Sequence, residues 1–146
     1  MSGELDQKLL DYAVRLVSRS EYTRRQVIRK LLSRGATEEL AGTICDELQV
    51  SGLIDDPRYC DLFISTHPDI GFGRMRMELL KRGIHGSLVD EKVRFDLENE
   101  VARAADMAGN WCESLDKRRI AGRLLRKGFS NPVIREAIRR ACDRAS

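Results

Sequence analysis

The side chains with the clearest chemical bias in this sequence are arginines and lysines, gathered on three segments. Residues 23–35 carry Arg24, Arg25, Arg29, Lys30 and Arg34 with no acid. Residues 74–83 carry Arg74, Arg76, Lys81 and Arg82 with Glu78 alone opposing them. Residues 117–128 carry Lys117, Arg118, Arg119, Arg123, Arg126 and Lys127, again with no acid. Arginine predominates, and its planar fork of donors matches phosphate and carboxylate oxygens. Recognition of anions is the chemistry this pattern offers. A generic solvated surface would mix the two signs more evenly, yet Glu38, Glu39, Asp46 and Glu47 are set apart on a different helix of the first unit.

The same sorting appears at larger scale. Net charge is +3, but residues 1–55 carry −1, residues 56–98 carry −1 and residues 99–146 carry +5. Between Lys117 and Arg144, 10 basic residues face only Glu136 and Asp143. That stretch adds Arg135, Arg139 and Arg140 to the candidate binding residues. Such a patch favours an anionic partner.

Bond-making chemistry has no comparable support. There is no Walker A loop, zincin motif, nucleophile elbow or dinucleotide fingerprint. His67 and His85 flank helix ends without a carboxylate or serine partner at useful spacing, and the Asp55-Asp56 pair reads as a helix cap. Cys45, Cys60, Cys112 and Cys142 form no C-x-x-C pair and lack histidines at ligand spacing. Neither a zinc site nor a disulfide framework is expected, so the cysteines read as buried free thiols. No cofactor and no catalytic residue is indicated, and the chain reads as a binding protein.

The elements that position the basic residues are legible from one phrase used three times. It runs Leu31-Leu32-Ser33-Arg34-Gly35, Leu79-Leu80-Lys81-Arg82-Gly83 and Leu124-Leu125-Arg126-Lys127-Gly128, its glycines 48 and 45 residues apart. Self-similarity at that period indicates one supersecondary unit repeated. Aromatic content of 5% and three prolines fit helices. The expected fold is all-α: three tandem three-helix, helix-turn-helix-like repeats over 1–54, 55–97 and 98–146, in an extended, curved stack. The capping box Thr23-Arg24-Arg25-Gln26 opens the second helix, and Gly35 closes it. In the second unit Pro57 marks a first turn, Gly71-Phe72-Gly73 a turn, and the third helix carries Leu88, Val89, Val93 and Leu97. The weak boundary near Glu98 leaves room for one continuous helix. The paired leucines are expected to face inward and the basic residues outward. Phe72 is either an exposed docking aromatic or an apolar plug between units. Trp111 and Phe129 read as core. No apolar run approaches the roughly 20 residues of a membrane span, and the polar, acidic start is unlike a secretory signal. A cytoplasmic monomer is expected.

In this order and spacing the motifs resemble the RecX family of regulators of the bacterial RecA recombinase. The resemblance runs through Tyr12-Ala13-Val14-Arg15-Leu16, Ser18-Arg19-Ser20-Glu21-Tyr22-Thr23-Arg24, the junction Gly52-Leu53-Ile54-Asp55-Asp56-Pro57-Arg58-Tyr59, Gly71-Phe72-Gly73 and the three Leu-Leu phrases. It implies tandem three-helix repeats, binding to RecA and its nucleoprotein filament, modulation (mainly inhibition) of ATP hydrolysis, strand exchange and co-protease activity, and weaker binding to DNA. Many relatives carry extra basic residues just before the Gly-aromatic-Gly segment, where this chain has Thr66-His67-Pro68-Asp69-Ile70. That departure shifts the electrostatic burden towards the third unit. The competing reading is a stand-alone DNA-binding protein whose helix-turn-helix-like units grip the backbone.

Overall fold

Each Leu-Leu phrase ends a middle helix, and that helix is where the three units are most alike. A computed structural model describes residues 2–143; the basic segment's Arg144 lies outside the described residues. Nine helices are present among them: α1 (Ser2–Arg19), α2 (Arg24–Ser33), α3 (Glu38–Val50), α4 (Asp56–Thr66), α5 (Phe72–Lys81), α6 (Gly86–Lys92), α7 (Leu97–Gly109), α8 (Lys117–Arg126) and α9 (Asn131–Cys142). They form three three-helix repeats, with α2, α5 and α8 in the middle of each.

Local chemistry explains most boundaries. The Thr23 hydroxyl accepts from the Gln26 amide at 3.1 Å while the Gln26 side chain accepts from the Thr23 amide at 2.9 Å. This reciprocal box satisfies two otherwise orphaned donors. Thr37, Asp55 and Asp116 cap α3, α4 and α8 through the amides of Leu40, Arg58 and Arg119. Several expectations are corrected. Phe72 and Gly73 belong to the first turn of α5, with Gly71 as its N-cap. α6 stops at Lys92, so Leu97 lies in α7 and no continuous helix joins the second and third repeats. Asp96 starts α7 by accepting from the Asn99 amide. Trp111 lies just past the end of α7, not within it, yet still packs half-buried against the third core, with Arg123 stacked over its ring at 5.1 Å. His85 does meet a serine, but as the N-cap of α6, its ring 2.8 Å from the Ser87 hydroxyl.

The core divides into three clusters, one per repeat. Val27, Leu31, Ile44 and Leu48 anchor the first, Cys60, Met75, Leu79 and Val89 the second, and Val101, Ile120, Leu124 and Phe129 the third. The expectation for the paired leucines holds for both members of the first pair, since Leu32 packs partly buried against the first core, but only for the first member of the other two. Leu31, Leu79 and Leu124 are fully buried, whereas Leu80 and Leu125 are 43% and 55% exposed. A 3.6-residue period separates neighbours by about 100°, so a narrow seam holds one leucine and turns the next outward.

Helix pairs that pack closely all lie within one repeat. The repeats are joined by small polar contacts, and the two joints use the same device. At the first, the Asp56 carboxylate accepts from the Arg24 amide at 2.9 Å and the Thr23 hydroxyl donates to the Arg82 carbonyl at 2.7 Å. At the second, the Glu100 carboxylate accepts from the Phe72 amide at 2.9 Å and the Gly71 amide donates to the Lys127 carbonyl at 2.8 Å. In both, a carboxylate of the following repeat caps the middle helix of the preceding one, and the carbonyl ending the following middle helix meets that helix's N-cap. The Asp55-Asp56 pair thus divides its work: Asp55 caps its own helix and Asp56 caps α2.

Glu100 is only 4% exposed. It pairs with Arg103, which also donates to the Pro68 and Ile70 carbonyls at 2.8 and 2.5 Å and lies over the Phe129 ring. Glu100→Ala is expected to destabilise the chain by about 2–3 kcal/mol, because it orphans a buried amide and leaves Arg103 without its counter-charge. Glu100→Gln retains an acceptor for the Phe72 amide and should lose less. Equal urea midpoints for wild type and Glu100→Ala would count against this joint.

The cysteines split two ways. Cys45 and Cys60 are buried free thiols, pushed up to about 11 by burial and therefore inert at neutral pH. Cys112 and Cys142 contradict the free-thiol expectation by forming a disulfide between the segment after α7 and the end of α9. Their separation of 30 residues carries no sequence signal; packing of α7 on α9 brings the Cα atoms to 5.4 Å. Closing a loop of that length constrains the unfolded chain by about 3.6 kcal/mol. Reduction, or Cys142→Ser, is expected to lower the Tm by roughly 10 °C; an unchanged melt in reductant would refute it.

Candidate anion-binding face

The sequence singles out seventeen cations, and the fold separates them by what they already hold. Arg24 is braced inward, donating to Asp46 at 2.9 Å and pairing with Gln49. Arg76 pairs with Asp90. Arg82 donates to Glu78 at 2.7 Å and lies 4.6 Å from the Phe63 ring centroid, while Arg74 reaches the same carboxylate at 3.9 Å and donates to the Arg126 carbonyl. The hydrogen bond from Arg82 holds Glu78 below the ordinary carboxylate range. Lys117 pairs with Asp143 at 2.6 Å and Lys127 with Asp69 at 3.3 Å.

At the end of α9, Arg139 pairs with Glu136, and Arg140 with both Glu136 and Glu98. Hydrogen bonds from Arg139, then Arg140, hold the Glu136 carboxyl at about 2. These two arginines therefore stay paired on acidification until Glu136 protonates near that value. Neither is available to a partner without first giving up a carboxylate.

Of the seventeen, those with no ion-pair partner among the described residues are Arg25, Arg29, Arg34, Lys81, Arg118, Arg119, Arg123, Arg126 and Arg135. Arg34 is parked 4.0 Å from the Tyr12 ring centroid, and Arg25 packs against Gly83 at the first joint. Arg118, Arg119, Arg123 and Arg126 converge. They line one groove of about 620 Å³ along α8, with Leu115, Asp116 and Gly122 as its other walls. The lone acid, Asp116, is occupied as the N-cap. Four exposed guanidiniums set against the single carboxylate of Asp116 leave the groove net positive, which makes it an attractor for an anionic surface.

Phe72 is half-buried. Its ring meets Phe95 edge-on at 5.6 Å and lines a cavity of about 310 Å³ between the second and third repeats, beside Arg94 and Arg103. Sequence reasoning missed the exposed apolar side chains on these faces, Met77, Leu80 and Leu125; Leu80 and Leu125 each follow a leucine that does face the core, and Met77 lies between the core positions Met75 and Leu79. No cluster of potential metal ligands exists among the described residues, and no helix there is long and apolar enough to cross a membrane.

Comparison with known proteins agrees with this architecture. Residues 10–48 match the model of the first three-helix domain of RecX. The regulatory protein RecX of Pseudomonas putida (strain W619) is 36% identical over 115 residues, covering 75% of this chain and 67% of the relative. That of Halorhodospira halophila is 28% identical over 144 residues, covering 93% and 89%. The crystal structure of RecX from Lactobacillus salivarius superposes with a TM-score of 0.81 over 97% of this chain and 98% of that one, at 24% identity. Motif order, the joined three-helix repeats and these likenesses lead to one conclusion: the chain belongs to the RecX family of regulatory proteins.

Proposed function

We propose that this protein binds the RecA recombinase and its nucleoprotein filament in the cytoplasm. It restrains the filament's ATP hydrolysis, strand exchange and co-protease activity, and it makes weaker accessory contacts with DNA. The observation that carries the reading is the convergence of Arg118, Arg119, Arg123 and Arg126 on one groove whose single acid is Asp116, none of the four having an ion-pair partner among the described residues. The units 1–54, 55–97 and 98–146 of a single chain lie across successive protomers, so that modest contacts reinforce one another through effective concentration.

The test compares binding to ATP-loaded RecA filaments on single-stranded DNA with binding to the bare strand at physiological salt, reading ATPase in parallel. Tight filament binding with falling ATPase is the expected result. The same arginines suit phosphate, so binding to bare DNA alone, with ATPase unchanged when free DNA is limiting, would replace this reading with that of a DNA-binding protein.

A further inference from the structure

The basic faces of α5 and α8 are not purely basic. Met77 is 64% exposed and Leu125 is 55% exposed. They come from different repeats, yet both line one cleft of about 560 Å³ between α5 and α8, together with Arg74, Glu78 and Arg126. Leu80, three residues beyond Met77 and so on a neighbouring part of the same face, is also exposed. Arg126 lines this cleft and the α8 groove alike, so the two form one continuous surface.

The charges around the cleft are one-sided. Glu78 is its only acidic lining residue, and it is already held by Arg82 and Arg74. Arg126 makes no ion pair among the described residues, and Lys81, one turn beyond Met77, makes none either, feeling Glu78 only at longer range. Two aliphatic anchors inside a cationic rim reproduce the anatomy of a protein–protein contact, where apolar side chains sit at the centre and charges at the edge. Phosphates along a nucleic-acid backbone gain nothing from Met77 or Leu125. Methionine's flexible thioether adapts well to a partner's side chains.

Resting on the reading above, we propose that the Met77–Leu125 cleft docks an acidic segment of the filament's protein component that carries an aliphatic or aromatic side chain. The arginine groove on α8 supplies attraction to any anion, and the cleft supplies the preference for protein over DNA.

The test is Met77→Ser with Leu125→Ser in the full chain, its fold checked by circular dichroism and melting. Binding is measured to RecA filaments, to bare single-stranded DNA and to duplex DNA at one salt concentration. Filament affinity is expected to fall about 10-fold or more, while affinity for either bare DNA stays within about 2-fold. Met77→Leu with Leu125→Met, which keeps the site apolar, should stay within about 3-fold of wild type. Two results overturn the inference alone: a filament preference undiminished in the serine variant, or an equal fall on bare DNA. The second would mean that these side chains wedge between bases. Wild-type protein that binds filaments no better than bare DNA overturns the function reading and the inference with it.

Discussion

Changing Arg118, Arg119, Arg123 and Arg126 together to alanine is expected to weaken binding to RecA filaments by about 10²–10³-fold near physiological salt. The magnitude follows from counter-ion release, in which each neutralised phosphate contributes about 0.9 to the salt slope, so four lost contacts lower it by roughly 3–4. An acidic protein groove would show the same direction through ordinary screening. The fold should survive. All four side chains are exposed, alanine is the best helix former, and only the Arg123 stack on Trp111 is lost, worth about 0.5–1 kcal/mol. Arg139→Ala with Arg140→Ala is the matched control. Those two are committed to Glu136 and Glu98, so their removal should change affinity by no more than about 3-fold. A folded quadruple variant that still inhibits the filament ATPase like wild type would sink the assignment. Equal losses in the two variants would show that total charge matters and the α8 groove does not.

The second large effect is at Gly128. Its φ is +97°, a conformation L side chains rarely adopt, and an added Cβ would lie 2.3 Å from the Arg74 Cβ and 2.8 Å from the Arg74 amide nitrogen. Backbone of a neighbouring repeat cannot swing aside as a side-chain tip can. Gly128→Ala is therefore expected to cost about 4 kcal/mol, combining left-handed strain of about 1–2 kcal/mol with overpacking of about 1–3 kcal/mol. Gly35 occupies the equivalent position in the first repeat, with φ +99° and nothing within 4 Å of the point to which a methyl group would project. Gly35→Ala should show the strain alone, about 1–2 kcal/mol. Chemical denaturation of the two variants separates the contributions, and equal losses would mean that the joint yields where the geometry says it cannot.

These two glycines show where sequence reasoning stops. Both close a middle helix, and both are legible as such from the Leu-Leu phrase. Only the fold shows that one ends in open space and the other beneath Arg74. The arginines behave similarly. Pairs at helical spacing, Glu78 with Arg82 and Glu136 with Arg140, follow from i,i+4 geometry alone. Arg24 with Asp46, Lys127 with Asp69 and Lys117 with Asp143 span 22, 58 and 26 residues, and no local pattern announces them. The departure at residues 66–70 acquires a physical consequence in this way, since Asp69 removes Lys127 from the exposed basic set.

The sequence by itself determined the all-α class, the threefold repetition, the caps that start most helices and the concentration of positive charge on the middle helices. Those features depend on neighbours within one or two turns, which a linear pattern records. Tertiary structure alone decided which cations remain unpaired, and that Leu80 and Leu125 turn outward while Leu32 stays against the core. It also decided that Cys112 meets Cys142, and that Asp56 and Glu100 cap a helix in the preceding repeat. Each of these depends on where one helix lies against another, and that placement is set by packing between residues far apart in the chain.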